Sequence, residues 1–258
     1  MRSSGKGRLY IVGTGPGAME YMTGRAAEAI RASEYIIGNA FYLRLIEQLV
    51  EGKEVIYSSM GKEVERARMC IDLAKDHTVS MVSGGDPGVY GMASIVLEVL
   101  EHDGSDIEFE VIPGVTAATA AASIAGSPLS GDYITISLSN LLTPLEEIRR
   151  RLDLALAMKI PIVIYNPKSR GRPDNLSMAM KMALEHRSPD SPVAVVRNAY
   201  REGQSVTYTD IGSLVKDDQI VDMHSIVILG GEDAHMFEIN GEVKGIITPR
   251  GYDRKYVY

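Results

Sequence analysis

The sequence predicts an α/β protein made of two α/β domains, and three observations carry that prediction. Short β-branched runs such as "LYIVG" and "TVSMV" alternate with longer alanine-rich and leucine-rich segments, the pattern of βα units around a parallel or mixed sheet. The 258 residues exceed a minimal domain and suffice for two modest cores. Hydrophobic residues at 45% and charged residues at 24% are ordinary for a globular chain.

In chain order, "LYIVG" ending at Gly13, "YIIG" at Gly38, "EVIY" at Tyr57, "TVSMVSGG" at Gly85 and "EFEVIPG" at Gly114 read as the strands of one sheet. "TGRAAEAIRAS" and "EVERARMCIDLAK" between them carry apolar residues at helical spacing. The stretch "SGGDPGVYGMAS", from Ser83 to Ser94, leads from a strand through a glycine-rich loop into a helix. Two readings of it can hold together. Asp86 suits an N-cap, with Pro87 at the first helical position. A loop at the carboxyl end of a strand also suits a ligand, with glycines admitting it close to the backbone and Asp86 accepting from a ribose or an amine.

"PGVTAATAAASIAGSPLSGDY" reads as a small-residue helix ending near Gly126, and the domain boundary is expected near Gly131, giving domains 1–130 and 131–258. The second half opens with the strand "YITISL". The helix "TPLEEIRRRLDLALAM" follows, with Thr143 as cap, Pro144 at its first position, and Glu146 and Glu147 favouring its dipole. "KIPIVIYNP", "SPVAVVRNA", "QSVTYTDI" and "HSIVILGG" supply further strands, and the Asn-Gly pair of "EINGEVKGIITP" suits a hairpin.

Charge and composition exclude several classes. A net charge of -7 argues against nucleic acid as a partner. The single cysteine, Cys70, forms no internal disulfide, and neither the cysteine nor the five histidines show metal-ligand spacing, so no metal is expected and a reducing, cytoplasmic setting is. The start "MRSSGKGRLYIVG" lacks the apolar core of a signal peptide, and no apolar stretch approaches the roughly 20 residues that span a bilayer; the expectation is a soluble protein without a membrane partner. Gly13, Gly15 and Ala18 in "IVGTGPGA" satisfy a dinucleotide-binding pattern. Yet Glu34 precedes the second strand instead of ending it, and Pro16 removes a backbone donor, which counts against a nicotinamide cofactor.

The motifs "VGTGPGAMEYMT", "SGGDPGVYGMA", "VIPGVTAATAAAS…GSPLSGDY", "IYNPKSRGR", "VVRNAYREGQ" and "ITPRGY" resemble, in order and spacing, those of the tetrapyrrole methylases that serve cobalamin biosynthesis. "GDPGVYGMA", "YNPKSRGR" and "RNAYREGQ" are similar to the branch that methylates carbon 17 of precorrin-3B or cobalt-factor III. The resemblance covers nearly the whole chain. It implies two α/β domains with the active site in the cleft between them, S-adenosylmethionine as methyl donor, a tetrapyrrole acceptor and a homodimer. A sulfonium is already electrophilic, so positioning rather than a nucleophilic side chain carries most of the catalysis.

By motif position the resemblance assigns donor binding to Pro16, Gly85, Asp86, Val89, Tyr90, Thr116 and Ala117, joined by Leu138, Asn166 and Asn198 from the second domain. Thr116 and Ala117 also suit simple helix packing. Arg170, Arg172, Arg197, Arg201 and Arg250 stand in predicted loops or strand ends, where a planar guanidinium suits the acceptor's carboxylates. Ring contraction, which the branch couples to methylation, needs proton transfer, and Asp86, Tyr90, Ser130 and Asp132 are the candidate acid/base groups. Three further readings stay open: another tetrapyrrole methylase of the same family, a nicotinamide-dependent oxidoreductase, and a tetrapyrrole carrier without turnover.

Overall fold

The computed structural model describes residues 7–257, which divide into two compact units, one extending through Ala117 and the other starting at Ala118. In the first, β1 (Arg8–Gly13), β2 (Tyr35–Asn39), β3 (Glu54–Ser58), β4 (Thr78–Ser83) and β5 (Glu108–Ile112) form one all-parallel sheet in the order β3-β2-β4-β1-β5. Helices α1 (Gly24–Ala32), α2 (Ala40–Leu45), α3 (Glu47–Val50), α4 (Glu63–Ala74) and α5 (Ala93–Asp103) cover it.

The period-two alternation of a strand sorts the core into two layers. Leu9 and Ile11 of β1 pack with Cys70 and Ile71 of α4 and Val96 of α5, whereas Tyr10 and Val12 pack with Ala26 and Ile30 of α1 and Leu43 of α2. Full burial of each such aliphatic side chain contributes about 1.5–3 kcal/mol. The connection from β1 through α1 to β2 passes over β4 on one face, and that from β4 through α5 to β5 passes over β1 on the other. Neighbouring strands β1 and β4 therefore send the chain in opposite directions from the same edge, the arrangement that opens a crevice at strand carboxyl ends.

The second unit contains α6 (Ala117–Ile124, begun at the junction), β6 (Gly126–Ser127), β7 (Ile134–Ser137), α7 (Leu145–Ala157), β8 (Ile162–Tyr165) and α8 (Asn175–Ala183). It continues through β9 (Pro192–Arg197), β10 (Ser205–Asp210), α9 (Ile211–Lys216), β11 (Ser225–Leu229), β12 (His235–Ile239) and β13 (Glu242–Ile247). Its main sheet runs β10-β9-β11-β8-β7, with β7 and β8 parallel, β11 antiparallel to both β8 and β9, and β10 antiparallel to β9. Ile148, Leu152 and Leu156 of α7, Leu176 and Met180 of α8 and Leu214 of α9 pack with Ile162, Ile164, Val193, Val195 and Val227 of the sheet. A smaller sheet, β12-β13-β6, contains the expected hairpin, turned by Asn240 and Gly241 at φ 54° and 76°.

Two local expectations are corrected. The junction precedes Gly131 because Gly126 and Ser127 pair with Ile246 and Ile247 of β13, a contact distant in sequence that draws the segment into the second unit. Pro144, not Thr143, is the cap of α7: it is extended at ψ 140°, makes no side-chain bond, and accepts from the amides of Glu147 and Ile148. Proline has no amide hydrogen to lose at a helix start, so the position suits it. Among the described residues no helix is long and apolar enough to cross a membrane, and no group of three or more His, Cys, Asp or Glu could hold a metal ion.

Candidate functional site

At the carboxyl edge of the first sheet, the loops after β1, β4 and β5 are tied together by main-chain bonds. Gly15 and Gly85 exchange N–H···O bonds of 3.1 and 2.8 Å, and the Thr14 amide donates to the Ser83 carbonyl at 2.9 Å. Asp86 completes the assembly: Oδ1 accepts from the Gly88 amide at 2.8 Å and Oδ2 from the Gly114 amide at 3.0 Å. Asp86 is therefore not the N-cap of α5, which begins at Ala93 behind Met92, and Pro87 is not in its first turn. The aspartate closes a tight turn of its own and bonds across to the loop after β5, because the Gly114 amide lies within reach and the chain turns at Tyr90 (φ 52°) before the helix starts.

Glycine is required at two points here. A Cβ on Gly114 would sit 2.2 Å from the Gly85 carbonyl oxygen, so two loops meet with no room for a side chain. Gly85 has φ +66°, yet a Cβ there would find nothing nearer than 3.8 Å, at the Ala117 amide nitrogen and the Thr116 Cα. A methyl at Gly85 would therefore meet the start of α6 at ordinary van der Waals distance, with main-chain atoms of residues 115, 116 and 117 as its nearest neighbours. Pro16 is buried, Val89, Thr116 and Ala117 are half-buried and Tyr90 is exposed around this edge.

The three donor candidates of the second unit, Leu138, Asn166 and Asn198, each directly follow a strand, namely β7, β8 and β9. Those strands point the same way, so the three residues share one sheet edge. Asn166 and Asn198 both have φ 49°, and their side chains suit a left-handed conformation that costs most residues about 1–2 kcal/mol. The Leu138 amide donates to the Tyr165 carbonyl at 3.0 Å, and Asn166 Nδ2 to Ser137 Oγ at 2.9 Å. Sequence reasoning missed Tyr165 itself, whose buried hydroxyl accepts from the Ala118 amide of α6 at 2.8 Å. It also missed Tyr200, at φ 56°, whose hydroxyl bonds Ser123 Oγ of the same helix at 2.8 Å.

Four of the five candidate arginines lie at this edge: Arg170 and Arg172 after β8, Arg197 at the end of β9, and Arg201 in the turn to β10. The edge is not a simple positive patch, since Asp174, Glu202, Asp217, Asp218 and Asp222 stand among them. Arg197 Nε donates to Asp222 Oδ2 at 2.7 Å, and Lys168 pairs with Asp218. Partial burial opposes ionisation of Asp222, but the His224 amide, Arg197 and Ser225 together hold its carboxyl below the usual range. Arg170 and Arg172 form no ion pair among the described residues, and Arg172 Nε is buried without a hydrogen-bond partner there. Arg250 is exposed beyond β13. Of the remaining acid/base candidates, Ser130 bonds the hydroxyl and carbonyl of Ser127 within its own turn, and Asp132 is exposed.

The nicotinamide reading loses its anchor. After β2 stands Asn39, whose Oδ1 caps α2 by accepting from the Phe41 amide at 2.8 Å. Glu34 sits before that strand, accepting from the Thr78 amide at 3.1 Å.

Comparison with known proteins agrees with the fold. The chain is 40% identical over 256 residues to the cobalt-factor III methyltransferase of Priestia megaterium, matching 97% of this chain and 46% of that protein. It is 36% identical over 250 residues to the precorrin-3B C(17)-methyltransferase of a Sinorhizobium species, at 95% and 97% coverage. It thus spans about half the length of the first relative and nearly all of the second. The crystal structure of the methyltransferase CobJ superposes with a TM-score of 0.86 at 28% identity, covering 94% of this chain and 100% of that one. Residues 8–215 match the family model of the tetrapyrrole (corrin/porphyrin) methylases, and with that extent of match the chain belongs to this family.

Proposed function

We propose that this chain is an S-adenosylmethionine-dependent C-methyltransferase of corrin-ring biosynthesis, acting at carbon 17 of precorrin-3B or cobalt-factor III with contraction of the ring. The observation that carries the reading is the 36% identity, over nearly the full length of both chains, to a protein named for that position of that substrate. The family resemblance alone supports a cytoplasmic homodimer.

The bound donor supplies an electrophilic methyl group. On this account the adenosyl group lies against a cradle of main-chain atoms at Gly85, where the nearest neighbours of an added methyl are backbone atoms of residues 115, 116 and 117 and not side chains. In this reading Gly85, Asp86, Val89, Tyr90, Thr116 and Ala117, with Pro16, bind and orient the donor. Asp86 acts through the backbone, fixing the Gly88 and Gly114 turns that shape the cradle. Leu138, Asn166 and Asn198 are assigned to donor binding as well. Arg170 and Arg172 hold acceptor carboxylates, joined by Arg197, Arg201 and Arg250. Tyr90, Ser130 and Asp132 are retained as candidates to move the protons that ring contraction requires.

Titration calorimetry tests the donor class. S-adenosylhomocysteine should bind with a dissociation constant at least tenfold below that of NAD or NADP, and the reverse order would remove the reading.

A further inference from the structure

Two neighbouring leucines at the carboxyl edge of the second sheet have no role in its core. Leu141 and Leu142, in the loop between β7 and α7, are 77% and 99% exposed. They do not serve the helix that follows: Pro144 caps α7, and a side chain as exposed as Leu142 packs against nothing in its first turn. Scattered apolar residues on a surface are ordinary, but adjacent leucines turned to water at a strand-end loop are not. Met223, 64% exposed, stands at the same edge in the segment leading into the antiparallel strand β11. The loop of Arg170 and Arg172 leaves β8, which lies between β7 and β11 in the sheet.

Along the edge, exposed leucines thus stand at β7, arginines at β8, and at β11 the exposed Met223 beside Asp222, whose charge is met by Arg197. Strands lie about 4.8 Å apart, so the edge from β7 to β9 runs roughly 14 Å. A ligand matched to that pattern is a broad, flat ring with an apolar face and anionic groups on its rim. The ring face would cover leucine and methionine, and the rim carboxylates would meet guanidinium forks not already occupied by protein acids.

We propose that Leu141, Leu142 and Met223 form an apolar platform for the face of the tetrapyrrole acceptor, with Arg170 and Arg172 gripping its carboxylates. This rests on the acceptor class given under the proposed function and adds the residues that select it. The platform explains why the edge can hold a polyanion while carrying as many acids as bases: burial of the ring face supplies affinity, and two local arginines supply register.

The test uses uroporphyrin, an octacarboxylate porphyrin, bound to the full chain and followed by its absorption and fluorescence. The double variant Leu141→Ser/Leu142→Ser should weaken its binding at least about tenfold, leave S-adenosylhomocysteine binding unchanged and leave the sedimentation coefficient unchanged. Leu141→Met/Leu142→Met should restore most of the affinity. Wild-type and serine variants that bind the porphyrin equally would overturn the platform while leaving the acceptor class standing. A serine variant whose association state changes would overturn it in favour of leucines that cover a second copy of the chain. Wild-type protein that binds no porphyrin would overturn the acceptor class and the platform together.

Discussion

The Asp86 carboxylate accepts the backbone amide of Gly114 at 3.0 Å, joining loops 28 residues apart in sequence. Its other oxygen holds the Gly88 amide, so one side chain fixes two turns at the edge where β1, β4 and β5 end. Asp86→Asn keeps one acceptor and sets an NH₂ against an amide hydrogen. Unfolding stability should fall by about 1–3 kcal/mol, and S-adenosylhomocysteine affinity should fall with it. Calorimetry on wild type and variant checks both; unchanged binding would remove Asp86 from the donor site.

Gly85 and Gly114 should respond differently to the same added methyl group. Gly114→Ala drives a Cβ to 2.2 Å from a carbonyl oxygen, so backbone must move and thermal stability should drop steeply. Gly85→Ala meets only the cost of its positive φ, about 1–2 kcal/mol, because its methyl would make ordinary van der Waals contacts, none nearer than 3.8 Å. Its larger effect should be on donor binding, since the methyl enters the cradle. A Gly85→Ala variant with wild-type donor affinity would show that the cradle is not used.

Acid should release the tie between Arg197 and Asp222. The folded state holds the Asp222 carboxyl below its ordinary value of about 4, against the opposing effect of partial burial, through the His224 amide, Arg197 and Ser225. Its contribution to stability is complete above that ordinary value and is lost as pH falls through the lowered one. Melting curves from pH 6 downward should show a smaller acid-induced loss in Asp222→Asn than in wild type. Parallel curves would contradict this.

Cys70 lies wholly within the layer of α4 and α5, and burial pushes its thiol up to about 12. Iodoacetamide at pH 8 should leave the folded protein unlabelled and alkylate it fully in denaturant, as read by intact mass. Rapid labelling of folded protein would mean that the layer opens.

The strands were legible because their apolar runs are short and several, such as β1, β2 and β11, end at or beside glycine, and the hairpin because Asn240-Gly241 selects its turn. Asp86 was legible as important but not in its role. Asp-Pro before a helix looks like a cap, and only the fold brings the Gly114 amide within reach. The pairing of Gly126 with Ile246 is equally invisible locally, which is why the junction was expected too late in the chain. Tyr165 at a strand end and Tyr200 in a turn read as ordinary packing and loop residues until their hydroxyls are seen on the amide of Ala118 and on Ser123.

The most direct test is the mass of the product. The protein is incubated with S-adenosylmethionine and either precorrin-3B or cobalt-factor III, and the tetrapyrrole is analysed by mass and absorption. The account predicts one added methyl group at carbon 17 and a contracted ring. A methylated product whose macrocycle is intact, or methylation only of a different intermediate, would contradict it.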